Sequence, residues 1–497
     1  MSSKSPNKKN KRKQISIIIK DRFESSSILA LSSFIKNENW IIKLTWLVFL
    51  LGSAGVCGWF ISRSINDYLN YNVITKTIIK NVNKMNYPII SICNLNPFAT
   101  NYATQKIYSL FPSYLINKYG TVLDGLVKIV MHSSGDKLEK FQLGFSLNNT
   151  IYSCLYNSKS CDLNQDFEQY YDINYGNCFR FNSGKSMNGS STSPKYIFAS
   201  GLLSAFNVEL FIGAAYSNEN IYSIENGFNI FISDEKKDST RSEGIRISPG
   251  MSTYIVLDKY SIKKQPNPYS ECISDLTTIN SYSSTCYQRV FSPDRKYHFT
   301  DCSNMCFQKL VGDNCGCQTT YFNYVYYSNM RICSKNESLV NDLNCLIINW
   351  MKFSDTQSIL EECDCPLECE YTGYNFRISS SEYPTLAYYN NYLTNVSVIR
   401  SRFSNQSEIN FENVKKSVAK LTIFYDELKQ TFINEEVKTE VFDLVSSVGG
   451  FLGLFLGISC LSLIEILEIL IKIVCLFYDF FIKEKVKKPK VNTTEQY

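Results

Sequence analysis

At 497 residues the chain is long enough for about three domains. A formal net charge of +5, from 51 basic against 46 acidic residues, leaves no basic excess of the kind a nucleic-acid partner requires. The 44% hydrophobic content is informative only through where those residues lie.

Residues 1–40 are polar and basic, with Lys4, Lys8, Lys9, Lys11, Arg12, Lys13, Lys20 and Arg22. They are read as a flexible cytoplasmic segment. The run KKNKRK either contacts anionic inner-leaflet lipid, at about 1 kcal/mol per basic residue, or is a topology signal on a disordered tail, which is the plainer reading. Residues 41–62 then form a first transmembrane helix, whose apolar core Leu44 to Ser62 is bracketed by Lys43 and Arg63. Trp40, Trp46 and Trp59 sit where interfacial aromatics belong. This core begins too far into the chain for a secretory signal and carries no small-residue cleavage site.

Residues 63–440 separate this span from a second one. Of 18 cysteines, Cys57, Cys460 and Cys475 lie in the spans, and the remaining fifteen all fall between Cys93 and Cys369. That distribution fits an oxidising, extracellular compartment. Sequons at Asn148, Asn188, Asn336, Asn395 and Asn405 agree with it. Fifteen is odd, so one thiol is left over. After a polar linker, Ile89 to Cys93 reads as a strand. GFNIFIS and TYIVLDKYSI add further strands, and Cys302 to Cys369 reads as helices and loops stapled by disulfides. KLTIFYDEL (Lys420 to Leu428) is a return strand leading to the second span.

The second transmembrane segment, residues 441–482, reads SSVGGFLGLFLGISCLSLIEILEILIKIV over its informative part. Gly449, Gly453 and Gly457 recur every four residues, a spacing that lets helix backbones approach closely. Ser462, Glu465, Glu468 and Lys472 continue as a polar stripe at helical spacing. A charge inside a bilayer costs about 2.5–3.5 kcal/mol and faces protein or water. Two carboxylates on one face therefore point to a cation pathway. Glu468 and Lys472 could instead snorkel to the inner interface if the span is tilted. Residues 483–497 carry Lys483, Lys485, Lys487, Lys488 and Lys490, so both termini are expected in the cytoplasm of a plasma-membrane protein. No metal-ligand spacing, nucleophile–base pair or phosphate-binding glycine loop stands out, which argues against an enzyme and against a metal or other cofactor.

GGFLGLFLGIS resembles the second transmembrane helix of the degenerin, epithelial sodium and acid-sensing channels, with their Gly-x-Ser filter. YPIISICNLNPF (Tyr87 to Phe98) and YGNCFRFNSG (Tyr175 to Gly184) are similar to other motifs of that superfamily. So are PYSEC at Pro268 to Cys272 and the cysteine spacing from Cys302 to Cys369. The overall character is closest to cnidarian (Hydra-type) peptide-gated sodium channel subunits.

The resemblance implies an α+β membrane protein, with two transmembrane helices flanking a large β-rich, disulfide-stapled extracellular domain that carries a helical thumb. It implies a trimer, as a homotrimer or, in preference, a heterotrimer of homologous subunits. The filter would be Gly457, Ile458 and Ser459, followed by the acidic residues Glu465 and Glu468, with Ser446 at the gate. Helix packing would fall to Gly449 and Gly453. The implied pairing is Cys93 with Cys178, Cys154 with Cys161, Cys272 with Cys369, Cys302 with Cys365, Cys306 with Cys363, Cys315 with Cys345 and Cys317 with Cys333. Cys286 remains, as a buried free thiol or an intersubunit bridge. Function would be amiloride-sensitive Na⁺ conduction, opened by an extracellular neuropeptide ending in Arg-Phe-amide. Proton gating or constitutive opening are the alternatives, and an ATP-gated trimer or a pore-less cysteine-rich receptor stands further off. Two departures are evident. Ala30-Leu31 stand near the place of the family's His-Gly pair, and Ile458 replaces a smaller filter residue. Only His132 and His298 could titrate near neutral pH as histidines.

Overall fold

The computed structural model describes residues 39–485 apart from 111–126, 129–130, 132–136, 173, 214–224, 235–243, 293–295, 320–325, 328, 334–338, 356–361, 404–406 and 408. The N-terminal basic run, the Ala30-Leu31 site, His132, Asn336, Asn405 and the lysines beyond Lys485 lie outside them. The chain divides into two units, Thr75–Glu436 and a second formed by Met1–Ile74 with Val437–Tyr497.

The larger unit is built on two sheets. The strands are β1 (Val73–Asn81), β2 (Ile89–Asn94), β3 (Ile151–Tyr156), β4 (Lys159–Ser160), β5 (Phe167–Asp172), β6 (Gly176–Phe181), β7 (Phe206–Phe211), β8 (Phe228–Ser233), β9 (Ile245–Ile247), β10 (Met251–Lys263), β11 (Glu370–Glu382) and β12 (Val418–Val437). One sheet has the order β11-β10-β12-β7-β3-β4, with β1 also on β12, and the other has the order β9-β8-β2-β6-β5. β10 pairs antiparallel with β11 and parallel with β12. The partner of Leu257 is Tyr425 but that of Lys259 is Gln430, so β12 bulges opposite Asp258.

β2 and β6 are buried along their whole length, their polar members Ser91, Asn94, Asn177 and Arg180 included. Ile90, Ile92, Phe179, Phe181, Phe206, Leu257, Leu421 and Ile423 form the main core. Phe181 and Phe206 approach to 4.3 Å between ring centroids. Polar residues of YPIISICNLNPF and YGNCFRFNSG make turns. Asn96 N–H donates to Asn94 Oδ1 and Phe98 N–H to Asn96 Oδ1. Asn182, at φ 60°, donates from Nδ2 to the Tyr87 carbonyl and accepts from Lys195 N–H.

Seven disulfides staple this unit. Cys93–Cys178 links β2 to β6 and Cys154–Cys161 closes the β3–β4 hairpin. The others are Cys272–Cys369, Cys302–Cys365, Cys306–Cys363, Cys315–Cys345 and Cys317–Cys333. Five of them serve a helical lobe comprising α2 (Thr285–Val290), α3 (Phe299–Cys315) and α4 (Leu339–Asp355), with Phe307 of α3 packed on Trp350 and Phe353 of α4. Cys286 is free and buried among Tyr287, Val290 and Tyr297.

The smaller unit contains α1 (Trp40–Leu69), α5 (Val441–Phe451) and α6 (Cys460–Lys485). Among the described residues α1 alone is long and apolar enough to cross a membrane, and Val441–Leu456 is a shorter apolar helix. α1 runs past the apolar core, to Leu69, and the stretch expected as a polar linker is largely β1. The second apolar segment departs from expectation in one respect. It is two helices, interrupted at Gly457, rather than one continuous span.

Candidate functional site

α5 begins with a capping box, in which Glu440 N–H donates to the Asp443 carboxylate and the Glu440 side chain accepts from Asp443 N–H. Leu452–Leu456 then widens into a π-helical turn, and Gly457 ends the helix at φ +68° and ψ 20°. A side chain at that φ is strained, so glycine is the natural terminator. Gly457 N–H donates to Gly453 O at 3.1 Å and Ile458 N–H to Leu452 O at 3.2 Å. The second bond reaches one residue further than an ordinary glycine-terminated helix, because the last turn is wide.

Two residues later the chain starts a helix again. Ser459 N–H donates to Ser462 Oγ at 3.2 Å, and Ser462 N–H donates to Ser459 Oγ at 3.3 Å. This reciprocal cap satisfies two donors at the start of α6. Gly457-Ile458-Ser459 is therefore a glycine stop, a linking residue and a serine start. Ser462, the first residue of the expected polar stripe, is 1% exposed and also belongs to the cap.

The break also corrects the expectation that Gly449, Gly453 and Gly457 share one helical face, since Gly457 is not helical. Ser446, Gly449, Gly450 and Gly453 do share a face of the α5 segment, and all four are exposed. A Cβ built at Gly449, Gly450 or Gly457 meets no atom within 4 Å, and one at Gly453 meets only Ile458 O at 3.8 Å. On the opposite side Phe60 of α1 stacks on Phe451 and Phe455. Below the break, Glu465 is half-buried, and Glu468 and Lys472 form an ion pair one helical turn apart.

In the larger unit Asn148, Asn188 and Asn395 are exposed. His298 precedes α3 with its Nδ1 3.4 Å from Glu368 Oε1, while Phe299 N–H donates to Glu368 Oε2. Burial pushes the Glu368 carboxyl up, but His298 and the backbone N–H groups outweigh it and hold the acid below its usual range. A cavity of about 460 Å³ lies beside this pair, lined in part by Asp234, Tyr260, Tyr371 and Tyr374. Lys259 Nζ donates to both oxygens of the lining residue Asp234, at 2.8 and 2.7 Å, and Tyr374 Oη donates to the same carboxylate. Sequence reasoning missed this cluster, because its members come from a loop and two strands far apart in the chain. Among the described residues no group of acids, histidines and cysteines is arranged to hold a metal ion.

Comparison with known proteins agrees with this architecture. The family described as "Amiloride-sensitive sodium channel" matches residues 23–469. The human bile acid-sensitive ion channel is 26% identical over 93% of this chain and 87% of its own length. The FMRFamide-activated amiloride-sensitive sodium channel of Cornu aspersum is 21% identical over 93% of this chain and 84% of its own length. The epithelial sodium channel subunit alpha of Neoceratodus forsteri is 22% identical over 87% and 75%, respectively. Its members are ion channels of the plasma membrane rather than enzymes, and with nine-tenths of its length matched this chain belongs to the amiloride-sensitive sodium channel family.

Proposed function

We propose that the chain is one subunit of a trimeric sodium channel in which Gly457, Ile458 and Ser459 form the selectivity filter. The observation that carries this is the interruption at Gly457 inside an otherwise apolar helical segment. Non-helical backbone at membrane depth is tolerated only where it is covered by protein or lines a water-filled cavity. Within one protomer nothing lies within 4 Å of the position a Gly457 side chain would take. Two further copies, or two homologous subunits, around a wet axis supply both the cover and the water.

In this reading residues 63–440 lie outside the cell, both termini lie in the cytoplasm, and Asn148, Asn188 and Asn395 carry glycans, as do Asn336 and Asn405. Gly449 and Gly453 allow close packing of subunits. Ser446, exposed on the same face, closes the gate with a small side chain. Glu465 and Glu468 draw cations toward the inner mouth. No cofactor is needed, because the transported ion is the substrate.

The opening stimulus is an extracellular peptide ending in Arg-Phe-amide, a reading supported by the FMRFamide-activated relative. The experiment is expression in oocytes, alone and with candidate homologous subunits, with whole-cell current recorded during application of such peptides, acid and amiloride. Amiloride-sensitive Na⁺ current evoked by peptide is the expected result. Current evoked by acid alone would assign proton gating, and current without any stimulus would assign a constitutive channel.

A further inference from the structure

The ion pair between Glu468 and Lys472 has a consequence for permeation that neither residue has alone. Both side chains are about half exposed in the protomer, at 51% and 45%. The order, with the acid N-terminal to the base by four residues, is the favoured orientation of a helical pair. Glu465 lies three residues before Glu468, on the same side of α6. A rise of 1.5 Å per residue puts Lys472 about 20 Å beyond Ser459 along the helix. The inner part of this segment thus carries a cation among its carboxylates.

We infer that Lys472 is a built-in counter-charge of the ion pathway, which cancels Glu468 and so holds down both unitary conductance and divalent permeation. The inference rests on the pore reading above. Its physical basis is the potential felt by a permeating ion. A unit charge some 6 Å from a hydrated ion, screened at physiological salt, changes the local Na⁺ concentration about twofold per charge. Because the energy scales with ion charge, the same field changes Ca²⁺ about fourfold. Each copy of this chain thus adds one carboxylate's worth less attraction than Glu465 and Glu468 together would supply. The competing account has Lys472 merely snorkelling, its stem along lipid and its ammonium at the inner interface, remote from the ions.

Single-channel recording of the assembled channel separates these accounts. Lys472→Gln is expected to raise unitary Na⁺ conductance about twofold for each copy of this chain in the trimer and to raise the Ca²⁺ to Na⁺ permeability ratio by a similar factor per copy. Glu468→Gln should lower both, because it leaves the lysine uncancelled. The double variant Glu468→Gln/Lys472→Gln, and the swap Glu468→Lys/Lys472→Glu, should each return close to the parental values. If Lys472→Gln reaches the surface poorly, Lys472→Cys modified from the cytoplasmic side replaces it. A positively charged thiol reagent should then lower conductance and a negatively charged one raise it. Glu465→Gln serves as the control for the pore reading. A Lys472→Gln channel with parental conductance and permeability ratio, beside a Glu465→Gln channel with reduced conductance, overturns the counter-charge and leaves the pore intact. A Lys472→Gln channel with lowered conductance also overturns it, since the lysine would then only be positioning Glu468. Parental behaviour of all three single variants overturns the pore reading itself, and the counter-charge with it.

Discussion

Phe60 of α1 stacks on Phe451 of α5, with ring centroids 5.2 Å apart and planes 22° from parallel, and on Phe455 at 5.8 Å and 15°. Lipid tails are as apolar as either ring, so burial alone drives little association between membrane helices. What remains is the ring–ring term, about 0.5–1.5 kcal/mol per pair, or roughly 1–3 kcal/mol for the two contacts. Phe60→Ala is expected to lower the thermal midpoint of the detergent-solubilised protein by several degrees, and Phe60→Tyr to leave it nearly unchanged. An unchanged midpoint for Phe60→Ala would show that the stack contributes nothing to holding α1 against α5.

Cys302–Cys365 and Cys306–Cys363 tie the same two segments together, at sequence separations of 63 and 57. In the chain-entropy view a loop of that length is worth about 4 kcal/mol when closed, but most of that is secured by whichever bridge remains. The Cys302→Ser/Cys365→Ser pair should therefore have only a mild effect on surface expression, as should the Cys306→Ser/Cys363→Ser pair. Removing all four cysteines should abolish expression at the surface. Equal and additive losses from the two pairs, read by surface biotinylation, would show that the bridges act independently.

Cys286 is expected to resist alkylation in the assembled channel. Burial pushes its thiol up from the usual value, and the nearby positive charges of Lys309 and Arg289 offset this only in part. The fold thus favours the neutral thiol. The stability this confers is present below the ordinary thiol pKa of about 8.5 and is lost as pH rises through the raised value. Native protein treated with N-ethylmaleimide near neutral pH should yield an unmodified Cys286 peptide by mass spectrometry, and urea-denatured protein a modified one. A dimer band lost on reduction and lost again in Cys286→Ser would instead reveal an intersubunit bridge.

The two sheets were readable where a strand carries its own signal. Ile89 to Cys93 is β-branched and apolar on both faces, so its burial needs no knowledge of its partners. Val73–Asn81 is harder to read, because it alternates with lysines and asparagine and becomes a strand through pairing with β12, far along the chain. The second apolar segment was legible in its composition but not in its shape. Glycine every fourth residue is compatible with a continuous helix, and only the positive φ at Gly457 reveals the stop. Ser462 lies on α6 at the stripe's spacing from Glu465, but its bond with Ser459 exists because α6 starts afresh at Cys460, which spacing alone does not disclose. The Asp234–Lys259–Tyr374 cluster left no local trace in the sequence at all.

The reciprocal cap between Ser459 and Ser462 makes the last prediction sharper than the filter motif alone would. Gly457 faces two separate demands. Its φ of +68° costs a side chain about 1–2 kcal/mol, while the space around it in one protomer is open. Asparagine tolerates that backbone better than alanine, so the backbone demand predicts that Gly457→Asn retains more function than Gly457→Ala. The pore demand predicts the reverse, since the larger side chain fills more of a shared axis. With the proposed filter, Gly457→Asn should shift the reversal potential on replacing Na⁺ with K⁺ at least as far as Gly457→Ala. Ser462→Ala touches no ion in this geometry, yet it removes the acceptor for Ser459 N–H, a loss of about 0.5–2 kcal/mol at a helix start. It should therefore also weaken Na⁺ over K⁺ discrimination, with Ser462→Thr restoring it, because the threonine hydroxyl can accept the same bond. Glu465→Gln should instead lower conductance while leaving that discrimination in place. If Ser462→Ala and both Gly457 variants keep the parental reversal potential while Glu465→Gln changes it, ion selection occurs on α6 below the break, and the turn at Gly457 serves only to redirect the helix.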